Sequence, residues 1–259
     1  MQERGTLGAV LFDVDGTLAE TEEAHRRAFN QAFRDFGLQW SWSRELYGRL
    51  LAVTGGKERL THYVKDYGAA PALDEAAIAD LHRHKTRLYE REVFEGGLGL
   101  RDGVERLIRS AAESGVLVGV ATTTTKANVD ALFTATLGPG WDRLVQVVAA
   151  GDMVRAKKPA PDVYLLALEK LGCAPESVVA IEDSRNGLLS AFGAGIPVLV
   201  TPSSYTAGED FSEAAAVLDR LGDPGATSSV IAGPPLEGDF VDLGYLGKVL
   251  AAAERGSAA

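Results

Sequence analysis

The stretch LGAVLFDVDGT, residues 7–17, joins a short apolar segment to a cluster of polar side chains and decides the fold. Leu7 to Phe12 is a nearly continuous apolar run that stops at Asp13, which is typical of a strand buried on both faces of a parallel sheet. Asp15 follows two residues later and precedes Gly-Thr. We therefore predict a parallel sheet whose first strand ends in two carboxylates.

Four later apolar segments resemble this first one, and amphipathic segments with helical spacing lie between them. The candidate strands span residues 116–121, 145–150, 178–181 and 198–200. Strands that alternate with helices form a parallel sheet with crossover helices on both faces. The predicted fold class is α/β, with a Rossmann-like parallel sheet at its centre.

Residues 19–96 interrupt this alternation, because their apolar residues recur at helical spacing and form no convincing strand. We predict an α-helical cap domain over residues 19–96, inserted into a catalytic core formed by residues 1–18 and 97–259 and attached through two linkers near residues 17–20 and 95–100. The glycines of EGGLGL, residues 95–100, predict a hinge in the second linker, because glycine absorbs backbone changes at little steric cost.

The segment beyond Thr201 has a weaker pattern. It predicts a helix over residues 211–221, a loop over 222–238, and a segment over 239–253 that packs back on the core. We expect the last six residues to fray.

Composition excludes several classes of protein. The 259 residues are 46% hydrophobic and 24% charged, as in ordinary globular proteins. The 36 acidic and 26 basic residues give a net charge of −10, so we expect no nucleic acid and no membrane as a partner. A single cysteine, Cys173, suits a reducing compartment, and we expect no signal peptide. Any anionic substrate therefore needs local cations or a metal.

Polar residues follow the predicted strands at the point where each one ends. Because the carboxyl ends of parallel strands form one edge, side chains far apart in sequence should converge there. Ionised carboxylates repel one another unless a hard cation neutralises them, and Mg²⁺ is the predicted cofactor. A lysine and a hydroxyl would hold the remaining oxygens of a phosphoryl group. The predicted residues are Asp13, Asp15, Thr122, Lys158, Glu182 and Asp183.

A single Asp at a strand end is often only a helix cap or turn residue, whereas this ordered combination is rare. DVDGT, Thr122, Lys158 and the Glu182-Asp183 pair resemble the four motifs of the haloacid dehalogenase-like hydrolases over residues 7 to about 205. The resemblance implies that Asp13 is the nucleophile and Asp15 the general acid/base. It implies that Thr122 and Lys158 bind the phosphoryl group. The implied metal ligands are Asp13, Asp15, Glu182 and Asp183.

Longer segments resemble one subfamily, the CbbY-type xylulose-1,5-bisphosphate phosphatases, which are relatives of β-phosphoglucomutase. These segments are FDVDGTLAETEEAHRRAFN, TGGKERL, AAGDMV and KKPAPDVYLLAL. The resemblance implies a small-molecule sugar bisphosphate substrate, formed by Rubisco as an inhibitory by-product, and a functional link to Rubisco without a stable complex. We expect a monomer, located in the cytoplasm of a bacterium or in the chloroplast stroma of an alga or plant.

A bisphosphate has two anionic ends, and one metal site holds only one of them. Lys57 follows Gly55 and Gly56 and opens a predicted helix, so backbone N–H groups and an ammonium could face the second phosphate. Arg26 lies early on the first cap helix and is predicted to bind the second phosphate together with Lys57.

Other residues of the insertion carry two interpretations each. His25 could bind substrate or be a buried, hydrogen-bonded histidine, and Glu20 could bind sugar hydroxyls or be a charged linker residue. The run HRHK, residues 82–85, is predicted to be a solvated helix face. The predicted substrate-binding residues besides Gly55, Gly56, Lys57 and Arg26 are Glu20, His25, Tyr47, Thr123 and Asn186.

Three other functions share parts of this pattern. Haloacid dehalogenation needs no metal and has no use for Asp15 as a proton donor. A phospho-acceptor signalling module also combines an Asp, Mg²⁺, Thr and Lys, but the helical insertion and Asp15 argue against it. A phosphosugar mutase shares motifs and insertion, and the sequence separates it poorly from a phosphatase.

Overall fold

The computed structural model describes residues 6–257, with side-chain burial through residue 253. Seven strands form one sheet in the order β3-β2-β1-β4-β5-β6-β7. Their bounds are β1 Ala9–Phe12, β2 Leu117–Ala121, β3 Val147–Ala149, β4 Val178–Glu182, β5 Val198–Val200, β6 Ala216–Leu218 and β7 Val230–Ala232. The first six strands pair in parallel, and β7 pairs antiparallel with β6. The predicted α/β fold with a parallel sheet is confirmed.

The first strand lies at the centre of the parallel part of the sheet. Leu11 pairs with Gly119 of β2 on one side and with Ala180 of β4 on the other. All four residues of β1 are buried, which explains why the segment is apolar on both faces. This register brings the ends of β1, β2 and β4 to one edge.

Nine α-helices lie in the described part of the chain. They are α1 Glu22–Asp35, α2 Arg44–Leu50, α3 Gly56–Asp66, α4 Glu75–Phe94, α5 Val104–Glu113, α6 Lys126–Thr136, α7 Asp162–Leu171, α8 Arg185–Gly193 and α9 Leu243–Ser257. None of them is long and apolar enough to cross a membrane.

Helices α1 to α4 form the helical insertion between β1 and β2, and they contain an apolar cluster of their own. Phe29, Trp42 and Tyr47 are fully buried in that cluster. Other faces of the insertion pack on the sheet-side core, which includes Ala24 and Tyr89. The division of the chain into a core and a cap domain at residues 18–19 and 96–97 therefore stays a prediction.

The segment after β5 differs from its predicted structure. The helix predicted over residues 211–221 is wrong, because residues 216–218 form β6, which is buried beside β5. A run of three buried apolar residues is too short to show helical or strand periodicity. The prediction that residues 239–253 pack on the core is confirmed, since Leu246 and Val249 of α9 are fully buried. Helix α9 continues to Ser257, and residues 258–259 lie outside the described residues.

Candidate active site

Three buried carboxylates meet at the carboxyl ends of β1 and β4. Oxygen atoms of Asp13, Glu182 and Asp183 all lie within 4.8 Å of one another. Gly16 lets the turn after β1 approach them, since its φ is 87° and a Cβ there would lie 2.2 Å from Asp183 Oδ2. The close approach therefore requires glycine at this position.

One buried lysine lies among these acidic groups. Lys158 Nζ is 2.6 Å from Asp13 Oδ1 and 2.6 Å from Glu182 Oε1. The Tyr164 hydroxyl also donates to Glu182 Oε1, at 2.5 Å. The single positive charge faces three carboxylates, so the cluster keeps an excess of negative charge.

Burial and the neighbouring charges change the pKa of several groups in this cluster. Burial raises the pKa of Asp13 to about 7, against the opposing attraction of Lys158. Burial, and the repulsion of Asp13 and Glu182, raise the pKa of Asp183 well above its usual value. Burial alone would lower the pKa of Lys158, but attraction by Asp13 and Glu182 outweighs it and raises that pKa.

A divalent cation fits the cluster. Glu182 Oε2 is buried without a hydrogen-bond partner, although buried carboxylate oxygens are normally satisfied. A ligand set made only of oxygen atoms suits a hard cation. Asp13, Glu182 and Asp183 are thus compatible with a metal site. The one positive charge of Lys158 does not neutralise all three carboxylates.

Asp15 occupies a different environment from Asp13. Its Oδ1 accepts hydrogen bonds from Thr21 Oγ1 at 2.6 Å and from His25 Nε2 at 3.0 Å. Lys85 Nζ donates to the other ring nitrogen of His25 at 2.6 Å. Burial would raise the pKa of Asp15, but its interaction with His25 and the hydrogen bonds from His25 and Thr21 outweigh burial and lower that pKa to about 2. Two neighbouring carboxylates therefore differ strongly in acidity.

Lys85 is a site residue that the sequence analysis missed. The prediction of a solvated face for residues 82–85 is wrong at Lys85, which is 4% exposed, and burial lowers its pKa to about 7. Its Nζ lies 4.6 Å from the centre of the Phe29 ring. Leu81, Lys85 and Tyr89 share the buried face of α4 at intervals of four residues. That spacing is the signal that could have identified it.

A cavity of about 390 Å³ lies between this edge of the sheet and the helical insertion. Most of the predicted site residues line it, and Thr122 and Glu182 are fully buried without lining it. The predicted residues in the lining are Asp13, Asp15, His25, Gly55, Gly56, Lys57, Thr123, Lys158, Asp183 and Asn186.

Three predicted substrate-binding residues lie outside the lining. Arg26 donates to the Trp42 carbonyl oxygen at 3.0 Å and pairs with Glu23, so the prediction that it faces the second phosphate is wrong. The Tyr47 hydroxyl is buried and donates to Glu22 Oε2 at 2.6 Å. Glu20 accepts a hydrogen bond from Ser204 Oγ at 3.1 Å.

Arg59 is another lining cation that the sequence analysis missed. It is 8% exposed and donates to the Leu50 carbonyl oxygen and to the Tyr47 hydroxyl. Within the described residues no carboxylate forms an ion pair with it. A buried guanidinium beside a cavity without an anionic partner is suited to bind an anion.

The insertion touches the core directly at the rim of the cavity. Thr54 Oγ1 donates to the Lys158 carbonyl oxygen, and Asn186 Nδ2 donates to the Ala52 carbonyl oxygen at 3.3 Å. These contacts join the insertion to the core beside the site, where Asp13 is only 6% exposed.

Comparisons with known proteins agree with this geometry. A match to the haloacid dehalogenase-like hydrolases covers residues 7–195. Protein CbbY of Rhodobacter capsulatus is 53% identical over 208 residues, which cover 80% of this chain and 91% of that protein. CbbY from Rhodobacter sphaeroides, solved with phosphate, is 48% identical with a TM-score of 0.80 over 83% of this chain and 95% of that one. A variant of the latter, with the same identity, coverage and TM-score, was solved with xylulose-(1,5)bisphosphate.

The repulsion among the buried carboxylates predicts a substitution that stabilises the metal-free protein. A carboxyl with a raised folded-state pKa destabilises the fold as pH rises through that pKa. We therefore expect Asp183→Asn to raise the free energy of unfolding by about 1 to 3 kcal/mol near pH 7.5, with the gain vanishing towards pH 4. Urea unfolding of parent and variant at both pH values, with a chelator present, measures this difference in the free energy of unfolding.

The exposed Asp142→Asn is the matched control and should change little at either pH. Added Mg²⁺ should stabilise the parent protein more than Asp183→Asn. Equal stability of parent and variant at high pH, or a loss in the variant, would contradict the repulsion.

Proposed function

This chain belongs to the haloacid dehalogenase-like hydrolases, and on that premise we propose that it is a Mg²⁺-dependent phosphatase of xylulose 1,5-bisphosphate. The products are xylulose 5-phosphate and inorganic phosphate. The observation that carries the proposal is the pair Asp13 and Asp15, which face a cavity between the sheet edge and the insertion with cations at both of its ends. The bisphosphate bound to a 48% identical relative supports the choice of sugar.

The reaction begins with Asp13 as the nucleophile. A carboxylate oxygen of Asp13 forms a bond to phosphorus while the bond from phosphorus to the sugar oxygen breaks. Lys158, 2.6 Å from Asp13 Oδ1, offsets charge on the transferring group. When bound by Asp13, the Asp15 carbonyl, Glu182 and Asp183, Mg²⁺ supplies further electrostatic stabilisation of the phosphoryl oxygens.

Asp15 handles the proton in both halves of the reaction. It protonates the leaving sugar oxygen, and the resulting carboxylate then takes a proton from the water that attacks phosphorus and frees Asp13. At rest the pKa of about 2 keeps Asp15 ionised, so it must gain a proton before the first step. An anionic phosphate nearby raises that pKa, and His25 links Asp15 to Lys85 as a proton source.

The far end of the cavity binds the phosphate that is not transferred. Gly55 caps the N-terminus of α3, Gly56 begins the helix, and Lys57 follows on the exposed rim of the cavity. Arg59 lies one half-turn further, buried and without a carboxylate partner in the described chain. In place of Arg26, we assign Arg59 with Lys57 to this phosphate, because helix N-termini and guanidinium groups favour anions.

The setting of the enzyme follows from the same proposal. Its substrate is an inhibitory by-product of Rubisco, and the enzyme acts on the free sugar without a stable complex with Rubisco. We propose a monomer that works in a bacterial cytoplasm or a chloroplast stroma, where the lone Cys173 stays reduced.

A panel of sugar phosphates tests the substrate assignment. With Mg²⁺ present, we expect phosphate release from xylulose 1,5-bisphosphate to exceed release from xylulose 5-phosphate and from hexose monophosphates. Chelation should abolish the activity and added Mg²⁺ should restore it. Isomerisation of a hexose 1-phosphate without phosphate release would indicate a mutase, and phosphate release that survives chelation would contradict the Mg²⁺ requirement.

Removal of the Lys57 charge tests recognition at the far end. We expect Lys57→Ala to lower kcat/KM for the bisphosphate by roughly 10 to 100-fold, the range of a charge-assisted hydrogen bond, and to affect p-nitrophenyl phosphate much less. Lys65→Ala, at an exposed position of the same helix, is the matched control. Equal losses of kcat/KM on both substrates would contradict the assignment of Lys57 to the second phosphate.

A further inference from the structure

The loop of residues 201–206, which follows β5, is fixed to the acidic cluster. Thr206 Oγ1 donates to the Asp183 carbonyl oxygen at 2.7 Å and accepts from the Ser203 amide at 2.9 Å. Thr201, Ser203 and Thr206 are all buried. The base of this loop therefore has a defined position relative to Asp183.

Arg101 fixes the same loop to both linkers of the helical insertion. Its guanidinium donates to the carbonyl oxygens of Thr201 and Pro202, at 2.9 and 3.0 Å, and also to that of Gly16. The Arg101 amide donates to the Leu18 carbonyl oxygen at 2.8 Å. The loop thus begins where the two linkers lie side by side.

The tip of the loop reaches from the core into the helical insertion. The Tyr205 hydroxyl donates to Glu23 of α1, and its ring lies edge-on to Tyr47, with centroids 5.8 Å apart. The Arg44 guanidinium lies 5.3 Å from the centre of the same ring. Among the described residues, Tyr205 is the one member of the insertion's apolar cluster that comes from outside residues 29–88.

These contacts are suited to form and break during turnover. Tyr205 is only half-buried and lines the cavity, and its partner Glu23 also pairs with Arg26 and Arg44. Because these contacts are few and partly exposed, breaking them costs little free energy. An active-site cover must open in this way for substrate entry and product release.

We propose that Tyr205 is a positioning residue that holds the helical insertion closed over the acidic cluster during phosphoryl transfer. The inference rests on the proposed phosphatase function. Tyr205 acts through closure, which places Thr54 and the α3 terminus over the site, and it neither transfers a proton nor selects the sugar. Its removal should therefore affect all substrates similarly, in contrast to removal of Lys57.

Kinetics on two substrates test this role. We expect Tyr205→Ala to lower kcat/KM by about 10 to 100-fold on both xylulose 1,5-bisphosphate and p-nitrophenyl phosphate, and Tyr205→Phe to lower it by about 3 to 10-fold through loss of the Glu23 hydrogen bond. The smaller expected loss in Tyr205→Phe would show that the aromatic ring alone maintains part of the closure. Tyr67→Phe, an exposed tyrosine of the insertion, is the matched control.

A double-mutant cycle separates closure from plain stability. Tyr205→Phe and Glu23→Gln should be non-additive in kcat/KM, because each removes the same contact between the loop and α1. Coupling in unfolding alone, or unchanged kinetics in Tyr205→Ala, would overturn the proposal. A parent protein inactive on the bisphosphate contradicts only the substrate assignment, because p-nitrophenyl phosphate still tests the closure.

Discussion

Repulsion among three buried carboxylates is the constraint on which the rest of this site depends. Asp13, Glu182 and Asp183 lie within 4.8 Å of one another, and Lys158 supplies one positive charge to them. The parallel sheet forces this meeting, because β1 and β4 are neighbours and end at the same edge. A site that is unfavourable without cations is well suited to bind a metal and a phosphoryl group together, since both complete its charge balance.

The two aspartates of DVDGT show how environment separates their roles. Asp13 faces other acidic groups, which with burial raise its pKa, whereas Asp15 faces His25, which lowers its pKa. Only Asp15 is linked through His25 to Lys85 of the insertion. Because the link crosses from core to insertion, closure both covers the nucleophile and completes the environment of the acid/base group.

The sequence predicts the strand-end residues well, because an apolar run followed by a carboxylate has one natural place in a parallel sheet. It predicts the insertion less well. Arg26 and Arg59 look equivalent as charged helix residues, and only packing shows that the first meets the Trp42 carbonyl and the second the cavity. Helical spacing could show that Lys85 is buried, but not that it meets His25, and no local pattern contains the contact of Tyr205 with Glu23.

Trapping the covalent intermediate tests the central claim most directly. The enzyme is mixed with Mg²⁺ and xylulose 1,5-bisphosphate, quenched in acid during turnover, digested and examined by mass spectrometry. We expect the peptide that contains Asp13 to gain the mass of one phosphoryl group, located on Asp13 itself and absent before substrate is added. Rapid turnover with Asp13 unmodified, or a phosphoryl group on a different residue, would contradict Asp13 as the nucleophile.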